Sequence, residues 1–417
     1  MSTSHTTSSA TKYTFIDKVK AIGPAVVITG SFIGPGTITT ATRTGADFGY
    51  SLLWTILFAI VATIVLQEMA ARLGVVTRQG LSEAISKTFE NNALKHLARG
   101  LVGIAIPLGC IAYMGGDLTG SAAGLSTLTG VSTQILGPLV GITILVLINF
   151  GPFELIEKLL MVLVAIMAVV FLIAVFAVGP NWSDVATGLI PSIPDGGMFL
   201  VLGLIGTTIV PYNFFVHAIN AKKAFTSTDQ LELSKLDIIV AITVGGFITA
   251  AVMITAGTVI KGTSVESIAS MAKALEPVLG DFASPFLSVG LIAAGLSSAI
   301  VTPLGASYVL AGLFGWKYDK SDKRFFFTNL SILIFGIFIS ATGLNPIFVI
   351  ISAQVLNGII LPIAVILLVM ITSQAKFMRE YVNSKVSLAF GILISLITIF
   401  LGAKSFISTV SSLGGIG

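Results

Sequence analysis

Long stretches of this chain contain no Asp, Glu, Lys or Arg, among them residues 21–42, 48–67, 159–183, 196–221, 238–260, 282–316, 325–375 and 386–403. Charged residues are confined to the intervals between such runs. About 20 apolar residues make a helix long enough to cross bilayer hydrocarbon, so most of these runs hold one span. The 325–375 run is long enough for two, with a turn at Thr342, Gly343, Leu344, Asn345 and Pro346. The pattern predicts an all-α polytopic protein with about eleven transmembrane helices. They fall near 21–42, 51–71, 100–122, 131–150, 155–178, 198–221, 236–260, 284–312, 325–342, 346–371 and 386–404, and are called spans 1 to 11 below.

Two of these spans are interrupted. Span 1 carries Gly34, Pro35, Gly36 and Thr37, and span 6 carries Val210, Pro211, Tyr212 and Asn213. Proline removes a backbone donor and leaves a carbonyl without its helical partner. In a bilayer such irregular backbone persists only where protein or a polar cavity surrounds it. Matched interruptions in two halves of a chain are the best sequence pointer to a carrier's substrate site. The second break lies five spans after the first, an odd offset, so the two halves have opposite orientations. This pattern predicts a LeuT-type five-plus-five inverted repeat, with residues 20–180 as the first repeat, 195–372 as the second, and 386–406 as an added helix.

Mean hydropathy is +1.00 and charged residues make up 10% of the chain, against roughly 25% in soluble domains. The net charge of +4 acquires meaning from its placement. With the N-terminus inside, 19 of the 23 Lys and Arg residues fall in cytoplasmic segments, leaving Arg43, Lys261, Lys273 and Lys404 outside. The positive-inside rule then predicts a cytoplasmic N-terminus and an extracytoplasmic C-terminus in a multi-pass cell-membrane protein. The basic residues are a topology signal, so no nucleic-acid partner is expected; the expected surroundings are a lipid bilayer. Residues 1–19 read as a polar, disordered cytoplasmic tail. The single cysteine, Cys110, allows neither an internal disulfide nor a cysteine metal site. No hydrolase, zincin or Walker motif is present. The chain therefore reads as no enzyme, with no cofactor and no ATPase domain of its own.

The run GPAVVITGSFIGPGTITTATRTGADFGYSLLWTILFAIVATIVLQEMAARLGVVT and the run GTTIVPYNFFVHA resemble the first, second and sixth helices of Nramp divalent metal transporters. GLSSAIVTPLGA in span 8 and AQVLNGIILPIAV in span 10 are weaker echoes. Three departures accompany the resemblance. The family's Asp-Pro-Gly-Asn is replaced by Gly34 to Thr37, and its Met-Pro-His-Asn by Val210 to Asn213. Its acidic pair in helix three is reduced to Asp117, with Gly120 three residues on. His217 matches the second histidine of helix six, and Gln354 the polar residue of helix ten.

The resemblance implies a divalent cation moved by alternating access. The expected substrate-binding residues are Ile33, Gly34, Thr37, Thr207, Val210, Tyr212, Asn213, Gln354 and Asn357, together with freed carbonyls near Ile33, Gly34 and Thr207. Thr37, Tyr212 and Asn213 would be the metal contacts, directly or through water. None of these is anionic, and the thioether that favours softer metals is gone. Mg²⁺, which sheds water reluctantly, therefore stands beside Mn²⁺ as expected cargo. A small organic solute such as an amino acid, held at exposed helix N-termini, is the alternative, and a channel is a further one. Asp117 reads either as a proton acceptor or as a residue packed near the outer end of helix three. His217, Glu68 and Arg72 complete the proton or gating candidates, with Glu68 and Arg72 spaced for an i,i+4 pair. With the other titratable positions of the family missing, proton coupling is expected to be weak or absent.

Overall fold

The computed structural model describes residues 13–14, 23–151, 153–319 and 321–413; nearly all of the expected tail, 1–19, lies outside them. Among the described residues all regular structure is helical. Span 1 is two half-helices, α1 (Pro24–Phe32) and α2 (Pro35–Phe48). Span 2 is α3 (Leu53–Thr77). After the short α4 (Leu81–Thr88), span 3 is α5 (Asn92–Thr129), span 4 is α6 (Thr133–Phe150) and span 5 is α7 (Phe153–Ala177). The second half opens with the short α8 (Trp182–Thr187). Span 6 is again two half-helices, α9 (Met198–Thr208) and α10 (Pro211–Ala224). Then come span 7, α11 (Leu231–Val259); the small α12 (Ile268–Ala272) and α13 (Glu276–Leu279); span 8, α14 (Ala283–Phe314); and span 9, α15 (Lys323–Ala341). Span 10 is α16 (Pro346–Thr372), followed by the short α17 (Ala375–Met378) and span 11, α18 (Lys385–Leu413).

Eight of these helical stretches, with α9 and α10 taken together, are individually long and apolar enough to cross a bilayer among the described residues. The other three expected spans are the halved α1–α2 pair, α6 and α7. Boundaries moved most at span 3, which begins at Asn92 rather than near 100. The Asn91 side chain caps it, accepting from the backbone of Ala93 at 2.8 Å and Leu94 at 3.3 Å. Those first two turns or so carry Lys95 and Arg99, whose charge excludes them from an apolar window. The expected turn between spans 9 and 10 is present: Gly343 takes a φ of 75° and Asn345 caps α16 through Phe348 N at 3.2 Å.

Both interruptions have the same physical origin. Pro35 and Pro211 each occupy the first position of the second half-helix, where a missing N–H is harmless. The residue before each proline is pushed to extended backbone: Gly34 to ψ −177° and Val210 to ψ 120°. The residues before those match closely, Ile33 at φ −81°, ψ 70° and Ile209 at φ −97°, ψ 74°. Packing repeats the same symmetry. Half-helix α2 rests on span 7, and α10 rests on span 2, the exchange that an inverted repeat requires. Span 6 is almost wholly enclosed and span 11 is peripheral.

Candidate functional site at the two helix breaks

The breaks are tied to one another by two hydrogen bonds that are equivalents under the repeat. Ser31 Oγ donates to Asn213 Oδ1 at 2.7 Å, and Thr37 Oγ1 lies 2.7 Å from Thr207 Oγ1. Ser31 and Thr207 stand four residues before their prolines; Thr37 and Asn213 stand two after. Each bond therefore joins the first half of one broken span to the second half of the other. The residues four before proline are also those whose carbonyls lose a helical donor. Ser298 Oγ of span 8 donates to the Ser31 carbonyl at 2.8 Å, and Tyr113 Oη of span 3 donates to the Thr207 carbonyl at 3.3 Å. Spans 3 and 8 are themselves repeat partners. Ser297 Oγ takes the Gly30 carbonyl at 2.7 Å, and Thr37 Oγ1 also donates to the Phe32 carbonyl.

Around this frame lies a closed polar layer. Tyr212 Oη is 3.0 Å from Thr302 Oγ1, and its ring meets that of Tyr113 edge-on at 5.8 Å. A Cβ on Gly305 would stand 2.5 Å from the Tyr212 ring, so glycine there makes room for the tyrosine. Asp117 is 1% exposed; the Ser298 and Thr302 hydroxyls lie beside its carboxylate but donate to the Ser31 and Ser298 carbonyls, so neither carboxylate oxygen accepts a well-formed hydrogen bond among the described residues. A Cβ on Gly34 would lie 3.0 Å from Asp117 Oδ1 and 3.1 Å from Ser298 Cβ. The carboxylate thus occupies the space directly in front of the first break. Asp117 is the single acidic residue available there, because spans 1, 6, 8 and 10 contain none across their apolar runs. Thr37, Thr207, Tyr212, Asn213 and Gln354 are likewise buried, and no group of three or more His, Cys, Asp or Glu forms a metal cluster among the described residues.

Residues 25–408 match the family model for natural resistance-associated macrophage protein-like proteins. The chain belongs to the Nramp family. It is 31% identical over 406 residues to a divalent metal cation transporter MntH of Yersinia pestis (strain Pestoides F), covering 94% of this chain and 95% of that protein. The MntH of Caldanaerobacter subterraneus subsp. tengcongensis is 29% identical over 396 residues, covering 90% of each. Among solved structures, the Eremococcus coleocola manganese transporter superposes with a TM-score of 0.82 at 22% identity, covering 97% of this chain and 89% of that one. MhsT in complex with L-phenylalanine gives 0.60 at 17% identity, over 93% and 98%. The architecture is the LeuT-type fold of a multi-pass membrane transporter, not of an enzyme.

This Nramp member departs from the sequence expectations at several points. The expected donor set was neutral, yet the fold brings the Asp117 carboxylate to the first break. Asp117 sits amid α5 between two broken helices, which replaces the reading that packs it near the helix end. Two of the three carbonyls expected to be free are engaged: Thr207 O by Tyr113, and Gly34 O by the amides of Thr37 at 3.1 Å and Ile38 at 3.3 Å. Asn357 is turned away from the breaks. Its Nδ2 bonds its own helix at Ala353 O at 3.1 Å, and its Oδ1 faces Gly109, about 12 Å along α5 from Asp117. Gln354 does reach the first break: a Cβ on Gly36 would strike its Nε2 at 2.0 Å, and neither amide atom has a partner among the described residues. At Gly120, where the resemblance calls for glutamate, a Cβ would fall 2.2 Å from Pro35 Cβ. That position is filled by the break itself.

The gating candidates lie elsewhere. His217 is enclosed beside Pro24 at the start of α1, where Asp237 accepts from Gly23 N at 3.0 Å and Ala25 N at 2.8 Å. Arg72 bonds Glu68 at 2.8 Å, as spaced, and also the Tyr381 carbonyl and Asn383 Oδ1 at 2.7 Å. It pins span 2 to the segment between spans 10 and 11. The pair edges a cavity of about 610 Å³ shared with Lys235 and Glu380. At the opposite end of the bundle, Arg43 pairs with Asp47 at 3.3 Å and edges a cavity of about 310 Å³ with Glu266. Ser31, Tyr113, Ser298 and Thr302 went unnamed from sequence. Ser31 was findable as the repeat counterpart of Thr207, and the two span 8 residues lie in GLSSAIVTPLGA.

Proposed function

We propose that this chain is a secondary carrier for a hard divalent cation, Mg²⁺ first, which enters from outside and is bound between the two breaks. The observation that carries the reading is the buried Asp117 carboxylate, without a well-formed hydrogen bond among the described residues and directly in front of Gly34. One carboxylate surrounded by hydroxyl and amide groups suits Mg²⁺, which is held by one or two carboxylates while keeping several waters. Mn²⁺ loses the soft ligand that would favour it, since Val210 supplies no sulfur. The relatives' names, divalent metal cation transporter, support a cation. A carboxylate-bearing solute would bring its own anion against Asp117, which weighs against the amino-acid alternative.

Thr37, Tyr212 and Asn213 would be the neutral contacts, with Gln354 beside them. Thr37 and Asn213 are engaged in hydrogen bonds across the breaks and Tyr212 in one to Thr302 of span 8, so a cation would exchange with those bonds as it binds. Because the Thr37 and Asn213 bonds join opposite half-helices of the two broken spans, one in each repeat, their exchange couples binding to rearrangement of the repeats. Protons and cation would compete for Asp117, but Gly120 offers no second carboxylate, so proton coupling is weak or absent. The basic loops support a cell-membrane protein with its N-terminus inside and its C-terminus outside. Uptake by proteoliposomes, compared among Mg²⁺, Mn²⁺, Ca²⁺ and a panel of amino acids, tests the reading. Saturable Mg²⁺ uptake supports it; amino-acid uptake without any cation uptake would overturn it.

A further inference from the structure

Half-helix α1 is nine residues long, Pro24–Phe32. It runs from the end of the bundle that the basic loops place in the cytoplasm up to the first break. The amides of a helix's first turn lack partners inside the helix. Here Pro24 brings no N–H, and Val26 and Val27 both bond the Gly23 carbonyl, at 2.9 and 3.4 Å. Gly23 and Ala25 are left needing an acceptor from elsewhere, and the N-cap Gly23 has no side chain to provide one. Asp237 of span 7 serves both, one carboxylate oxygen each, at 3.0 and 2.8 Å. Its negative charge also suits the positive end of the helix. Asp237 is 1% exposed, whereas Glu232 and Lys235, charged neighbours on span 7, are exposed. The buried acid is therefore placed for α1 and not for solvent.

The rest of the contact between α1 and span 7 continues along the same face. Asp237, Ala241 and Gly245 follow one another at four-residue spacing, and all three are buried. A Cβ on Gly245 would stand 2.4 Å from Phe32 Cζ and 2.8 Å from Thr29 Cγ2, so the glycine is the notch that seats the last turn of α1. Beyond that turn comes the break, where Ile33 at φ −81°, ψ 70° and the extended Gly34 interrupt the helix. There the backbone can turn without breaking a helical ladder. The half-helix is thus a short rod with a hinge at one end and a carboxylate clamp at the other. The rod belongs to the first repeat and the clamp to the second.

We propose that Asp237 is a positioning residue for transport: its two bonds latch α1 shut beneath the breaks, and their release lets α1 turn about Ile33 and Gly34 so that cargo leaves to the cytoplasm. This rests on the proposed function only for inward transport from the breaks, not for the identity of the cargo. The first test needs no cargo. Hydrogen–deuterium exchange of the purified chain should show the α1 amides, residues 23–32, exchanging about tenfold faster or more in Asp237→Ala. Asp237→Asn, which keeps one acceptor oxygen, should fall between that variant and the parent, and exchange in span 10 should not change. An unchanged α1, or an equal acceleration in every span, would overturn the proposal. Gly245→Ala acts on the same contact from its other end by pushing Phe32 out of its notch, and it decides should Asp237→Ala not fold: faster exchange confined to α1 supports the latch, and parental exchange refutes it. The second test is transport. A loosened latch leaves fewer molecules open to the outside, so the external Mg²⁺ concentration for half-maximal uptake into proteoliposomes should rise severalfold in Asp237→Asn; an unchanged value would count against the latch. If the parent takes up no Mg²⁺, the cargo assignment fails, and the exchange measurement still decides the latch.

Discussion

Replacing Asp117 by Asn changes almost nothing but charge at the first break. The side chain keeps its shape, and its neighbours Gly34 and Ser298 are neutral and tightly placed. No other acid lies in the apolar runs of spans 1, 6, 8 and 10 to take over. At an effective dielectric of about 20, a dication and a carboxylate about 4 Å apart attract by roughly 8 kcal/mol before desolvation is counted. Taking both ions out of water offsets much of that, and breaking a buried pair by removing one partner costs about 3–5 kcal/mol. The expected loss is therefore about a hundredfold to a few thousandfold in Mg²⁺ affinity. Stability without cation should move the other way: an unpaired buried carboxylate is costly, so the variant's Tm should match or exceed the parent's. Calorimetric Mg²⁺ titration and thermal unfolding without Mg²⁺ read the two effects separately. A variant that keeps parental affinity, or that loses affinity only because it unfolds, would refute the reasoning.

Three further outcomes follow from the same geometry. Asn213→Ala removes one of two acceptors in reach of Ser31 Oγ, the other being the Ile28 carbonyl at 2.9 Å; transport should fall at least about tenfold, at a stability cost of only about 0.5–1.5 kcal/mol, as measured by uptake and by denaturant unfolding. Gly120→Glu, which restores the family's acidic position, should lower stability by about 1–3 kcal/mol or more through overpacking against Pro35, and should not create proton-coupled uptake in an internal-pH assay. Gly34→Asp and Val210→Met in an Asp117→Asn background move the carboxylate to span 1 and supply a sulfur; the flux ranking should shift from Mg²⁺ towards Mn²⁺, and an unchanged ranking would count against a cation site at the breaks.

The spans were legible because bilayer hydrocarbon imposes a coarse rule, about 20 residues without charge. Helical segments outside that rule were not: α4, α8 and the charged first turns of α5 lie in the intervals the rule reads as loops. The breaks were legible because proline acts locally, and the matching dihedrals at Ile33 and Ile209 follow from Pro35 and Pro211. Asp117 was visible as an acid in a span, but not as a neighbour of Gly34. Rotation of about 100° per residue fixes a side chain's direction on its own helix, whereas which helix it meets is a property of the packed bundle. The same limit hid Gly120, which reads as a lost glutamate in sequence and is in fact the space Pro35 occupies. Ser298 and Tyr113 were hidden because their partners are backbone carbonyls, which carry no residue type.

The central claim is that the two breaks with Asp117 form a carrier site for a hard divalent cation. The most direct measurement is Mg²⁺ uptake into proteoliposomes carrying the parent or Asp117→Asn chain, with internal pH recorded throughout. The account predicts saturable uptake by the parent, little accompanying acidification, and near-complete loss in the variant. Equal uptake by both chains, or strong acidification that tracks uptake, would contradict it.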